Sequence, residues 1–92
     1  MIKTRIGFGY DMHKLVKGGY IMLGGIRINS NYTVVAHSDG DIVLHSLSDA
    51  IYGSLAAGDI GTHFPSNKEN INIQSVKILK HACKLITQSN YM

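Results

Sequence analysis

One stretch constrains the fold of this chain more than any other: SDGDIVLHSLSDAIYGSLAAG, residues 38–58. Val43, Leu44, Leu47, Ala50, Ile51 and Leu55 recur at the i, i+3, i+4 spacing of an amphipathic helix. Ser38 is a suitable N-cap, and Asp41 three residues on makes a pair resembling a capping box. Asp39 suits the positive end of the helix dipole, and Gly58 supplies a stop. Such a helix buries its apolar stripe only against another element, so the rest of the chain must provide one.

The flanking segments offer candidates. Ile2 to Asp11 reads as a strand with Ile6, Phe8 and Tyr10 on one face, while Gly7 and Gly9 allow close backbone approach. Val16 to Gly19 is a turn signal, and YIMLGGIRIN, residues 20–29, reads as a hairpin pivoting on Gly24 and Gly25. Tyr32 to His37 is a further short strand. After the helix, a loop carries Asp59, Gly61, His63 and Pro65. Gln74 to Thr87 is then a second amphipathic helix, with Val76, Leu79, Ala82, Cys83 and Ile86 on one face and Lys77, Lys80 and Lys84 elsewhere. The order predicts an α/β chain of the α+β type. It should form one domain over residues 1–92, with a small sheet of three to four strands and two helices packed on one face. An α/β sheet would commonly receive another strand after the second helix, where this chain stops.

Composition narrows the function. Nine Lys and Arg with a net charge of +3 are too scattered for a nucleic-acid footprint, but suit an anionic small molecule. One cysteine, Cys83, excludes an intramolecular disulfide framework and reads as a small buried hydrophobe. No apolar run reaches the ~18 residues of a membrane span, and the chain enters strand-like sequence directly without a targeting segment. A cytoplasmic protein is expected.

Asp11 and His13 sit at i and i+2, so extended backbone points both to one side. Alone, the pair could be a solvated strand end. His45 lies about 160° around the helix from Leu47, on the polar face with Asp41, Asp49 and Tyr52. It is therefore either exposed to solvent or turned towards a cleft. An aspartate and two histidines make a three-ligand zinc set with a fourth position open. Asp41 and Asp49, each four residues from His45, are candidate partners for its other ring nitrogen, or plain surface pairs. HSDGD, residues 37–41, forms a strand-to-helix junction suited to anions, where Ser38 either caps the helix or meets a phosphate. His37 could donate to a phosphate oxygen. GFG lacks the third glycine of a dinucleotide fingerprint. Asp59 and Gly61 would alone be a plain helix-ending loop, and His63 has no evident role.

Taken together, RIGFGYDMHKL, IMLGGIRI and VVAHSDGDIVLHSLSDAIYGSLAAGDIGTHFP resemble, in order and spacing, the N-terminal half of the 2-C-methyl-D-erythritol 2,4-cyclodiphosphate synthase family of the non-mevalonate isoprenoid route. The match covers most of residues 4–65 and is looser beyond, with Ser75 and its helix in the expected place. The resemblance implies a homotrimer of α/β subunits with active sites between subunits. It implies Zn²⁺ on Asp11, His13 and His45. Substrate contacts would come from Asp11, His13, His37, Ser38, Asp59, Ile60 and Gly61, with His37 stabilising the transition state. The implied reaction is attack of the 2-phosphate of 4-diphosphocytidyl-2-C-methyl-D-erythritol 2-phosphate on its β-phosphorus, releasing CMP, with Mg²⁺ or Mn²⁺ on the diphosphate. The chain departs from the family at Ser66, Asn67 and Lys68, where acidic residues are usual, and at Lys14, where arginine is usual. The family's C-terminal half, with its cytidine pocket, has no counterpart here. The chain thus reads as a truncated member, expected to expose a sheet edge and parts of its helices, and to be poorly soluble or dependent on partner chains.

Overall fold

The periodic stretch folds as helix α1, Ile42–Ser54, but it starts and ends differently from expectation. In the computed structural model, which describes residues 4–36, 38–65 and 73–91, Asp41 rather than Ser38 is the N-cap. Asp41 Oδ1 accepts from the Leu44 N–H at 3.0 Å. The physical reason lies one residue earlier. Gly40 has φ +70°, in the left-handed region, so the helix cannot be extended backwards through it. At the other end Leu55 is the C-cap and Ala56 takes φ 52°, so the helix stops before Gly58.

Four short strands precede α1: β1 Lys14–Lys17, β2 Tyr20–Leu23, β3 Ile26–Asn29 and β4 Tyr32–Val35. They pair as two antiparallel ladders, β2 with β3 and β1 with β4. Lys14 lies opposite Val35, and Lys17 opposite Tyr32. The β2–β3 hairpin pivots on Gly24 and Gly25 at φ 64° and 83°, the two positive values that a tight two-residue turn demands. Gly18 N–H to Asn31 C=O and Ser30 N–H to Gly19 C=O, both 3.1 Å, tie the hairpin to the β1–β4 ladder.

Two strand boundaries are corrected. β1 runs through Val16 and Lys17, which the sequence assigned to a turn. Residues 4–13, assigned mainly to the first strand, are in no ladder among the described residues. This segment instead lies with its backbone on α1. A Cβ at Gly7 would meet the Ala50 carbonyl oxygen, and one at Gly9 the Ser46 carbonyl oxygen, so only glycine fits either place. The alternating side chains point away from the helix: Ile6 is 90% exposed, Phe8 81%, Tyr10 68% and Met12 81%.

After α1, Ile60–His63 forms a single helical turn, α2, where a loop was expected, with Asp59 as its N-cap. Helix α3, Ser75–Gln88, packs on α1. Their contact is the core: Tyr52, Ile78 and Ala82 are buried, with Ile51, Phe64 and Leu85 partly buried around them. This corrects the helical face read from the sequence. The buried side of α1 is Leu44, His45, Ser48 and Tyr52, whereas Val43 and Leu47 of the apolar stripe are exposed. Tyr52, placed on the polar face by its angle around the helix, has an aromatic ring larger than any stripe residue, and its ring drives the packing. On α3, Ala82 is buried but Cys83 is exposed, so the single thiol is not a core residue. No helix among the described residues is long and apolar enough to cross a membrane. The chain is elongated, 51 × 25 × 17 Å, with a radius of gyration of 14.2 Å. A compact domain of this length would have about 12 Å.

Candidate metal centre

Two elements bring the candidate ligands together. Asp11 and His13 project from the extended segment laid along α1, and its period of two puts both on one side even without a ladder partner. His45 comes from the first full turn of α1 and is turned inwards, 7% exposed. One ligand atom from each of Asp11, His13 and His45 can be chosen so that no two are more than 4.8 Å apart. Asp11 Oδ2 lies 3.0 Å from His13 Nδ1 and 3.1 Å from His45 Nδ1. In a tetrahedral zinc site with bonds of about 2.05 Å, ligand atoms are about 3.3 Å apart.

The donor set passes a second test. The Asp11–His45 contact has the geometry of a hydrogen bond. The Asp11–His13 contact is close but misaligned, so buried His13 Nδ1 has no hydrogen-bond partner. An orphaned buried nitrogen is costly in a purely structural cluster. Two imidazoles and a carboxylate converging on one point, one nitrogen left over, are what a divalent cation would satisfy. These three side chains can hold a metal ion.

The rest of the site is a cavity of about 250 Å³ beside the triad. His13, Ser38 and His45 form its polar side, and Ile60, Phe64, Ile73 and Ile78 much of its apolar side. Of the residues expected to contact substrate, Asp11, His13 and Ser38 thus lie together and Ile60 lines the wall. Asp59 and Gly61 are exposed and do not line the cavity. The Asp59 carboxylate accepts from the Thr62 N–H at 2.9 Å and its hydroxyl at 3.0 Å, and these bonds hold its pKa below the usual value. His37, Ser66, Asn67 and Lys68 lie outside the described residues.

The partners proposed for His45 are also corrected. Asp41 turns away to the hairpin and accepts from Gly24 N–H at 2.9 Å and Gly25 N–H at 2.6 Å. Asp49 accepts from Ile60 N–H at 2.8 Å and so holds α2 against α1. The partners of His45 Nε2 are Ser75 Oγ at 2.8 Å and Ser38 Oγ at 3.1 Å. Asp39, read as a charge for the dipole of α1, instead accepts the Ser75 N–H at 3.2 Å, at the start of α3. The sequence placed Ser75 at the expected helix start but gave it no role, because its position, 30 residues beyond His45, shows no local pattern. The only available signal was a serine at a helix start.

A third cluster was likewise unforeseen. Tyr52 Oη meets His81 Nδ1 at 2.7 Å, and His63 stacks on Tyr52 while its Nε2 bonds the Ala57 carbonyl at 2.7 Å. Burial, with the charge of Asp49, pushes the Tyr52 pKa up to about 12. His63, at the end of α2, therefore has a structural place against α1.

Known proteins resemble this chain along most of its length. The family model described as the YgbB family matches residues 4–92. A 2-C-methyl-D-erythritol 2,4-cyclodiphosphate synthase of Fusobacterium nucleatum subsp. nucleatum is 50% identical over 88 residues, which is 95% of this chain and 55% of that protein. A solved structure of 2C-methyl-D-erythritol-2,4-cyclodiphosphate synthase superposes with a TM-score of 0.86 at 38% identity, covering 94% of this chain and 58% of the other. A CDP-bound form of such a synthase also superposes at 0.86, with 37% identity over 94% of this chain and 58% of the other. The chain spans about half the length of the curated relatives it matches. It belongs to the YgbB family, the family of the 2-C-methyl-D-erythritol 2,4-cyclodiphosphate synthases.

Proposed function

We propose that this chain is a cyclodiphosphate synthase subunit carrying the metal- and phosphate-facing part of the active site. Its substrate would be 4-diphosphocytidyl-2-C-methyl-D-erythritol 2-phosphate, closed to the cyclic diphosphate with loss of CMP. The single observation that carries this reading is the orphaned His13 Nδ1 beside Asp11 and His45, in a chain half identical to synthases. Asp11, His13 and His45 would hold Zn²⁺, the ion that such a nitrogen-rich, three-ligand set suits. When bound, the ion supplies Lewis acidity and a template for a phosphate oxygen.

The protein's own part is positioning, because an internal phosphoryl transfer needs alignment and charge stabilisation rather than covalent catalysis. Ser38 presents its hydroxyl at the cavity wall beside His45, within reach of a phosphate oxygen. The apolar side chains of Ile60, Phe64, Ile73 and Ile78 would lie against the carbon skeleton. His37 is assigned to the transferring phosphoryl group, and Asp59 and Gly61 to the methylerythritol hydroxyls. Mg²⁺ or Mn²⁺ would arrive with the substrate diphosphate. The CDP-bound relative supports a cytidine nucleotide as the leaving part. The subunit is assigned to a homotrimer, and its exposed row Ile6, Phe8, Tyr10 and Met12 offers apolar surface for such contacts.

A second reading is zinc binding without turnover, which needs only the cluster of Asp11, His13 and His45. Two measurements on the purified 92-residue chain decide. Elemental analysis after dialysis should give about one zinc per chain, lost in His13→Ala and His45→Ala. Zinc absent from wild type, or retained in both variants, sinks the metal assignment. Phosphorus NMR with substrate then separates synthase from zinc-only protein: cyclic diphosphate and CMP support the first reading, and unchanged substrate at full zinc loading supports the second.

A further inference from the structure

We infer that Ser75 and Asp39 form a hydrogen-bond relay that fixes the His45 ring and its tautomer, which makes Ser75, at the start of α3, a positioning residue for the metal centre. This rests on the metal reading above. Ser75 is fully buried, and its single hydroxyl has two neighbours. One is Asp39 Oδ1, in a very short contact, and the other is His45 Nε2 at 2.8 Å. A carboxylate oxygen only accepts, so the Ser75 proton is committed to Asp39. Towards His45, Ser75 then offers only a lone pair, and His45 Nε2 must be the donor. The proton then sits on Nε2, and Nδ1 faces the Asp11 carboxylate at 3.1 Å as a second acceptor, a pair that a cation between them would satisfy.

Asp39 is itself held. Its Oδ2 accepts the Ser75 N–H at 3.2 Å and its Oδ1 the Asp41 N–H at 3.3 Å. The chain of contacts runs carboxylate, serine, imidazole, metal position, a carboxylate–histidine–metal arrangement with a hydroxyl inserted. Ser38 Oγ also lies near Nε2, but at 3.1 Å, and it already accepts the Gly40 N–H. One Nε2 proton has one best acceptor, and the shorter contact is Ser75. The two serines therefore divide their work. Ser75 holds the ligand, and Ser38 keeps a hydroxyl proton to turn into the cavity it lines.

A purely structural role, with Asp39 and Ser75 serving only to start α3, predicts different behaviour. Asparagine caps helices as well as aspartate, so Asp39→Asn would then leave the metal site untouched. The relay predicts that Ser75→Ala weakens zinc binding by 10- to 100-fold in chelator competition, that Asp39→Asn weakens it by about tenfold, and that Ser38→Ala changes it less than threefold. Ser75→Thr, which keeps the hydroxyl, should restore affinity to within threefold of wild type. Nitrogen-15 histidine NMR reads the proton directly. His45 Nε2 should be protonated in the zinc-loaded and zinc-free chains, and its proton should exchange with water faster in Ser75→Ala. Zinc affinity within threefold of wild type in folded Ser75→Ala, or a His45 tautomer with bare Nε2, overturns the relay. If Ser75→Ala does not fold, unchanged affinity in Asp39→Asn overturns it. A wild-type chain that takes up no zinc sinks the metal reading alone, because the Nε2 proton is still read in the zinc-free chain.

Discussion

Replacing Asp41 by alanine should loosen the joint on which the whole site is hung. Its carboxylate does two things at once. One oxygen caps α1 through Leu44 N–H at 3.0 Å, and the pair receives the Gly24 and Gly25 N–H groups at 2.9 and 2.6 Å. Loss of the cap costs about 1 kcal/mol. Hydrogen bonds to a charged acceptor contribute about 1.5–3 kcal/mol each, but the glycine turn is exposed, so water recovers much of this and about 1 kcal/mol per bond remains. The sum is about 3 kcal/mol, a large part of the roughly 5–14 kcal/mol expected for a chain of this length. At an m-value of about 1.5 kcal/mol/M, the urea midpoint falls by about 2 M. Asp41→Asn keeps one acceptor and should lose about half as much. Burial alone would raise the Asp41 pKa, but backbone N–H groups of Leu44, Gly25, Gly24 and Val43 outweigh it and hold the carboxyl below 3.8. Asp41 stabilises the native state fully above its unfolded pKa. That contribution drains away as pH falls below 3.8 and through the lowered folded value. The assay is urea unfolding followed by circular dichroism, at one fixed chain concentration, at neutral pH and down to pH 2. A loss below 1 kcal/mol for Asp41→Ala, or an equal acid dependence in wild type and variant, would refute the reasoning.

Other outcomes can be checked with the same material. Gly9→Ala should drive the N-terminal segment off α1 and lower zinc affinity at least tenfold with little change in helix content; wild-type affinity would contradict the close approach to Ser46. Tyr52→Phe removes the bond to His81 and should cost about 1 kcal/mol in thermal unfolding, and spectrophotometric titration of wild type should place one tyrosine near 12. Burial, then the His63 and Lys84 charges, hold the His81 pKa below 6.5. The contribution of neutral His81 is therefore complete above 6.5 and shrinks as pH falls through the lowered value; a His81→Gln variant should lose that part of the pH dependence. The exposed row of Ile6, Phe8, Tyr10 and Met12 should cause self-association, seen as a sedimentation coefficient that rises with concentration and falls in Phe8→Ser with Met12→Ser. A concentration-independent monomer would count against it.

Much of this was legible before the structure, and the failures have particular causes. The hairpin at Gly24 and Gly25 was readable because paired glycines at positive φ leave a local signature. Asp11 and His13 were readable as a pair because the period of two holds for any extended backbone. His45 was narrowed to solvent or cleft, and the structure selects the cleft. The face of α1 went wrong because the apolar stripe was centred on Leu47, whereas here Val43 and Leu47 are exposed and the large ring of Tyr52, on the opposite face, is buried. The N-terminal strand went wrong because alternation marks extended backbone without stating whether a neighbour pairs with it. Asp39 and Ser75 were illegible, since a contact across 36 residues depends on how α3 docks.

The close approach of Gly7 and Gly9 to the main chain of α1 has a bearing on how this protein can change. The height of Asp11 and His13 above His45 is measured out by main-chain atoms, with no side chain serving as spacer. Drift in the outward residues Ile6, Phe8, Tyr10 and Met12 can therefore alter what the surface binds while the ligand triangle keeps its dimensions. A single methyl group at either glycine moves the triangle at once. In protein engineering, the outer face of this segment is open to redesign, and its inner face is not.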